Sequence, residues 1–320
     1  MMRPDLPDVV ELAVPFFVIA IALELLLGFG RRRVRVETGD SVLSVAMGVG
    51  HLVEVALFGA VTFAVWESVS AWAPWRIADQ PWGWSPWVFI VAFVIDDFRY
   101  YWWHRFSHQC RWMWAAHVNH HSSQHYNLTT ALRQEWTGIL AGAFLFSIPL
   151  IAVGFDPAMI AFTSGLNLVY QFWIHTEAIT QMPAWFEALF NTPSHHRVHH
   201  ARNARYLDAN YAGTFIIWDK LFGTFVPEQP EDEEIVYGLV TNLGTRNLLR
   251  IAFHEWMAIA SDATRRGLSL KARFGYLFGP PGWSHDQSRK TTRDVKRDYV
   301  RRNPTAAGAP GLPLSEARHP

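Results

Sequence analysis

Charge is scarce in this chain. Only 18% of its 320 residues are Asp, Glu, Lys or Arg, against about 25% in a typical soluble domain. Neither sign dominates, since 28 basic residues balance 28 acidic ones. That excludes a nucleic-acid binder working by bulk positive charge, and an acidic disordered chain. Cysteine is nearly absent. With Cys110 alone, neither an internal disulfide framework nor a cysteine-based zinc module can form. No internal repeat is visible.

What is abundant points to a membrane. Half of the residues are apolar, and there are 16 Trp, 22 Phe and 15 His. Indole rings prefer the bilayer interface. The run Val9 to Phe29 can cross a bilayer core of about 30 Å at roughly 1.5 Å per helical residue. Arg31, Arg32, Arg33 and Arg35 follow it. A signal peptide carries its charges before the apolar stretch, so a retained span ending in the cytosol is expected. Ser41 to Trp72 is a second apolar run, with His51, Glu54 and Glu67 in it. Residues 73–84 hold three Trp and read as an interfacial loop. Trp87 to Trp103 is a third span. Thr137 to Gly154 and Pro157 to Trp173 are a fourth and a fifth, joined by a short turn into a hairpin.

Alternating the sides from the arginine cluster puts the N-terminus, 73–84 and 154–157 outside. Residues 104–136 and everything after about 174 are inside. Every histidine cluster then falls on the cytosolic face. The expected fold is an all-α integral membrane protein, with about four to five transmembrane helices under a cytosolic, helical, histidine-rich di-metal cap. N-terminal spans occupy 1–103. A histidine-bearing region follows at 104–240, with the hairpin at about 137–174. A cytosolic helical region covers 241–301, with an amphipathic helix at Leu248–Ala260. The Pro-, Ala- and Gly-rich tail 302–320 is expected to be disordered.

The histidines are clustered. His104 and His108 form an H-x3-H. His117, His120 and His121 form an H-x2-H-H. His196, His199 and His200 repeat that pattern, with His195 before them, and His175 ends the fifth span. On a helix, residues i and i+4 share a face. His104 with His108, His117 with His121, and His196 with His200 are therefore candidate ligand pairs. Buried imidazoles cost desolvation unless paired, and so many beside a membrane serve no cheap structural purpose. Eight or more exceed what one ion accepts, which argues for two ions. A His-rich paired site suggests iron that activates dioxygen, although imidazole also suits zinc. His51 reads instead as a packed, hydrogen-bonded residue.

Asp97 shares a helical stripe with Tyr101, His104 and His108 and is a candidate to orient a ligand histidine. Asn127 and Asp208 are further candidates, with Asn191, Asn210 and Asp219 behind them. His175, at a membrane exit facing the clusters, is favoured as a further ligand, and His125 and His195 are left open. A metal transporter would hold its ligands near mid-span, whereas these sit at span ends. A zinc-dependent membrane hydrolase on the same ligands remains an alternative.

The three histidine motifs resemble those of the fatty acid hydroxylase superfamily, which includes sterol desaturases. Context strengthens the likeness: Asp97-Phe-Arg-Tyr-Tyr-Trp-Trp-His104, His120-His-Ser-Ser, Phe172-Trp-Ile-His175, Asn191-Thr-Pro-Ser-His-His, Asn210-Tyr-Ala-Gly and Trp218-Asp-Lys-Leu-Phe-Gly. It is similar to the alkylglycerol-cleaving branch over roughly residues 85–240. An acidic residue that often follows His-His-Ser-Ser in that branch is replaced here by Gln124 and His125. The resemblance implies two iron ions held by these histidines (zinc being possible in recombinant protein). It implies dioxygen and an external reductant, either tetrahydrobiopterin or a redox protein. The implied substrate is a lipid alkyl chain drawn from the bilayer, either an ether lipid cleaved to aldehyde and glycerol or a sterol or fatty acid. No nucleic acid is implied.

Overall fold

The computed structural model describes residues 4–28 and 34–314, and among these the architecture is helical, without a strand. Arg31, Arg32 and Arg33 lie outside the described residues, as do 315–320 of the tail. Two helices are long and apolar enough to cross a membrane, α1 (Val9–Gly28) and α2 (Thr38–Trp72). At 35 residues α2 is about 52 Å long, well beyond a bilayer core of about 30 Å. Met47 in its first half is buried against Ile251 and Ala252.

Helix α3 (Pro86–Gln109) starts on a proline at its first position, where the missing N–H is not needed. It breaks at Cys110 into α4 (Arg111–His121). Helix α7 (Pro157–Trp173) has the bounds read from sequence. Asp156 caps it by accepting from the Ala158 N–H (2.8 Å). The turn before α7 lies against the 73–84 loop, where the Ile77 N–H donates to the Gly154 carbonyl (2.8 Å).

Residues 137–154, expected as one continuous span, are broken. They form α5 (Gly138–Ala141), a 3-10 turn (Ala143–Ser147) and α6 (Ile148–Ala152). The break falls at Gly142, whose φ of +78° is a conformation glycine adopts without strain. Side chains satisfy the freed backbone groups. Trp66 Nε1 donates to the Phe144 carbonyl (3.0 Å), Trp112 Nε1 to the Leu140 carbonyl (2.9 Å), and the Ile139 N–H to Glu54 (3.2 Å). His51, as expected, is hydrogen-bonded, with Nδ1 on the Glu135 carbonyl (2.8 Å).

The polar half carries α8 (Ala184–Leu189), α9 (Pro193–His199), α10 (Ile217–Phe222), α11 (Leu248–Ala263), α12 (Leu270–Phe278) and α13 (Thr292–Arg302). Of the tail, 302–314 is described. Leu312 in it is buried, and Gly311 abuts the Arg205 backbone.

Candidate metal centre

Four elements bring the histidines together. His104 and His108 come from the end of α3, and His117, His120 and His121 from α4. His175 follows α7, and His196, His199 and His200 come from α9 and its end. Thr192 caps α9 by accepting from the His195 N–H, and Pro193 begins it, so the motif becomes a short rigid helix.

The nine side chains form two groups, each with its ligand atoms within 4.8 Å of one another. One holds His104, His108, His117, His121 and His199, and the other His120, His175, His196 and His200. All nine are buried. The i,i+4 pairs stay together, while the third histidine of each H-x2-H-H crosses to the other group. Helical angles explain this. Four residues advance 400°, nearly a full turn, whereas the third histidine points some 60° to 100° away. The sequence gives those pairs but not the crossing.

Hydrogen bonds fix the rings. Nδ1 of His104 donates to the Tyr211 carbonyl (2.8 Å) and Nδ1 of His120 to that of Arg133 (3.2 Å). Nδ1 of His175 donates to that of Gln171 (2.7 Å) and Nδ1 of His199 to that of Ala209 (2.9 Å). A carbonyl only accepts, so each of these rings in its neutral form carries its proton on Nδ1 and a bare lone pair on Nε2. Yet Nε2 of His175 lies 3.2 Å from Nε2 of His120. Two lone pairs facing at that distance repel unless a cation sits between them.

Protonated imidazole is not that cation. Burial, reinforced by neighbouring imidazoles, holds His104, His117, His121, His175, His196, His199 and His200 well below the usual imidazole range. Burial lowers His120 to about 4. The same close Nε2 approach recurs for His104 with His117 (3.0 Å), His121 with His117 (3.2 Å), His196 with His175 (3.0 Å) and His200 with His196 (3.2 Å). Two nitrogens about 2.1 Å from one ion stand about 3.0 to 3.4 Å apart. The buried Nε2 atoms of His108 and His199 have no hydrogen-bond partner. The residues present therefore fit two metal ions.

The candidate orienting residues separate. Asp208 Oδ1 lies 3.4 Å from His108 Nδ1. Asp97 reaches no imidazole. Its buried carboxylate accepts from Asn167 (2.7 Å), the N–H groups of Thr214 (2.7 Å) and Phe215 (3.0 Å), and Trp218 Nε1 (2.8 Å). Asp219 accepts from the N–H groups of Tyr211 and Ala212 (2.8 Å each), and Asn191 donates to the Ala212 carbonyl (2.7 Å). These three pin the loop whose Tyr211 carbonyl holds His104. Asn127 caps a 3-10 turn through Thr129. His195 faces Glu187 at 3.5 Å and joins neither group, and nor does His125. The orienting carbonyls could not be found from sequence, because any residue type supplies one.

Asp208 yields a direct test. Outer partners of metal-bound histidines are worth about 10- to 100-fold in metal affinity. Asp208→Ala is expected to weaken binding of one of the two ions by that factor, read by chelator competition, without unfolding the protein.

A cavity of about 290 Å³ opens onto the cluster, between His108, His121, His199 and Asp208 on one side and His254 and Glu255 of α11 on the other.

Residues 89–224 match the fatty acid hydroxylase family model. The chain is 39% identical over 290 residues to alkylglycerol monooxygenase of Homo sapiens, covering 89% of this chain and 62% of that protein. Over 287 residues it is 39% identical to that of Xenopus tropicalis, with the same coverage. It is 26% identical over 147 residues to the ornithine lipid hydroxylase of Rhizobium tropici, covering 46% of this chain and 44% of that one. The chain thus spans about 62% of the length of the curated alkylglycerol monooxygenases named here. No solved structure matches it.

Proposed function

From the match of residues 89–224 to the fatty acid hydroxylase family model, we propose that the chain is a membrane-bound, O2-dependent di-iron oxygenase. It hydroxylates the alkyl chain of a lipid, with an ether lipid as the favoured substrate. The observation that carries the reading is the facing pair of Nε2 lone pairs on His120 and His175. His104, His108, His117, His121 and His199 would hold one ion, and His120, His175, His196 and His200 the other. Two iron ions, when bound, supply the activation of dioxygen that C–H hydroxylation needs, with two electrons from tetrahydrobiopterin or a redox protein.

The chain's own residues do the rest. The carbonyls of Tyr211, Arg133, Gln171 and Ala209 keep His104, His120, His175 and His199 in the tautomer that presents Nε2 inward. Burial keeps the rings neutral. About four to five crossings, with α1, α2, α3 and α7 among them, deliver the alkyl chain from the bilayer to the cytosolic side, where the histidines lie. On an ether lipid, one O2, two electrons and two protons place a hydroxyl on the carbon beside the ether oxygen and release water. The resulting hemiacetal collapses to a fatty aldehyde and glycerol.

The test is bound iron and zinc per chain in detergent-purified protein, with reductant-dependent O2 uptake on an alkylglycerol. About two irons per chain and substrate-dependent uptake are expected. Two irons without uptake would move the substrate to sterols or fatty acids. A zinc-loaded protein that turns over without O2 would make it a hydrolase. No metal in the folded protein would overturn the reading.

A further inference from the structure

Two helices outside the 89–224 domain each carry an uncovered apolar face. In α11, Leu249, Phe253 and Met257 are exposed, and in α12, Leu270, Phe274 and Phe278 are, up to 85% for Leu270. Both sets follow i, i+4, i+8 spacing, so each is one stripe along its helix. The opposite sides are buried, through Ile251 and Ile259 in α11 and Ala272 and Tyr276 in α12. Large exposed apolar stripes of this kind mark an interaction surface.

Charge says what covers it. Residues 248–278 contain five basic and two acidic residues. Both acids turn inward, Glu255 and Asp262 each accepting from Arg111 (2.6 and 2.8 Å). Arg265 turns back to pair with Asp262 (2.7 Å), while Arg250, Arg266 and Lys271 are exposed. A second copy of the chain would bring like charges together, whereas an anionic lipid surface complements them. The stripe also continues into an apolar crossing. The Trp112 ring lies 6.0 Å from that of Phe278, and its Nε1 donates to the carbonyl of Leu140, itself exposed.

We propose that α11 and α12 form an amphipathic hairpin lying in the headgroup layer on the histidine side of the bilayer. The six apolar side chains enter the acyl boundary, and Arg250, Arg266 and Lys271 meet anionic lipid. Since His254 and Glu255 on α11 also line the cavity at the cluster, the outer wall of that cavity rides on the membrane surface. This rests on the reading of α1 and α2 as membrane spans.

The test uses the full chain in nanodiscs, with nitroxide labels at Phe274→Cys or Met257→Cys in a Cys110→Ser background. Leu57→Cys on α2 serves as the span control and Glu231→Cys as the aqueous one. Labels at 257 and 274 are expected to be shielded from a water-soluble nickel chelate about threefold or more relative to 231, and to be reached by O2. Arg266→Glu with Lys271→Glu is expected to lose that shielding in discs containing anionic lipid. Labels at 257 and 274 as accessible as 231, with 57 shielded, would overturn the hairpin alone. An accessible label at 57 would overturn the span reading as well. Spin–spin broadening between two chains would make the stripe a dimer interface and overturn the proposal.

Discussion

A His175→Ala variant is expected to purify with about one metal ion per chain instead of about two, and to lose at least about a hundredfold in activity. The argument is one of ligand supply. His175 belongs to the four-histidine group, whose Nε2 atoms approach it at 3.2 Å from His120 and 3.0 Å from His196. Removing one donor of four leaves three, and also frees the Gln171 carbonyl that held the ring. The five-histidine group shares no ligand with it and should keep its ion. Metal analysis on the folded variant separates the two groups. His195→Ala is the matched control: His195 directly precedes a ligand pair, yet it faces Glu187. It should leave the metal content at about two ions. Loss of both ions in the first variant, or of either in the second, would show that the grouping is wrong.

Asp97→Ala should produce the largest loss of stability. Four donors converge on this fully buried carboxylate. Truncation orphans an amide, two backbone N–H groups and an indole. Each buried unsatisfied group costs about 1 to 3 kcal/mol, so the total is at least about 4 kcal/mol. At about 1.5 °C per kcal/mol for a chain of 320 residues, the melting temperature should fall by about 6 °C or more. Asp97→Asn keeps the shape but turns an NH2 toward two of the donors, and should fall less. Both variants loosen the loop carrying Tyr211, so metal affinity should drop along with melting temperature. An Asp97→Ala protein that melts like the parent would remove Asp97 from the architecture of the site.

Asp97 also shows where sequence reasoning ends. Its helical stripe with His104 and His108 is real, since periodicity fixes which residues share a face of α3. The stripe does not say what lies opposite. That is a loop more than a hundred residues later, 213–216, and its N–H groups take the carboxylate before any imidazole can. The broken segment 137–154 makes the same point for the fold. Its composition is that of a span, but Gly142 allows a left-handed turn, and Trp66, Trp112 and Glu54 satisfy the exposed backbone. Those partners come from α2 and α4, which the segment itself does not reveal.

By itself the sequence determined the apolar runs, the bounds of α7, the i,i+4 histidine pairs and the class of chemistry that nine clustered imidazoles serve. These are local matters, set by the hydropathy and the 3.6-residue period of one helix at a time. Only the tertiary structure decided which histidines share a group, sending His120 to His175 and His196, and His199 to His104 and His108. It alone supplied the carbonyls that leave two lone pairs facing each other. Ligand grouping depends on distances between helices far apart in the chain, and a backbone carbonyl has no residue type by which a sequence could announce it.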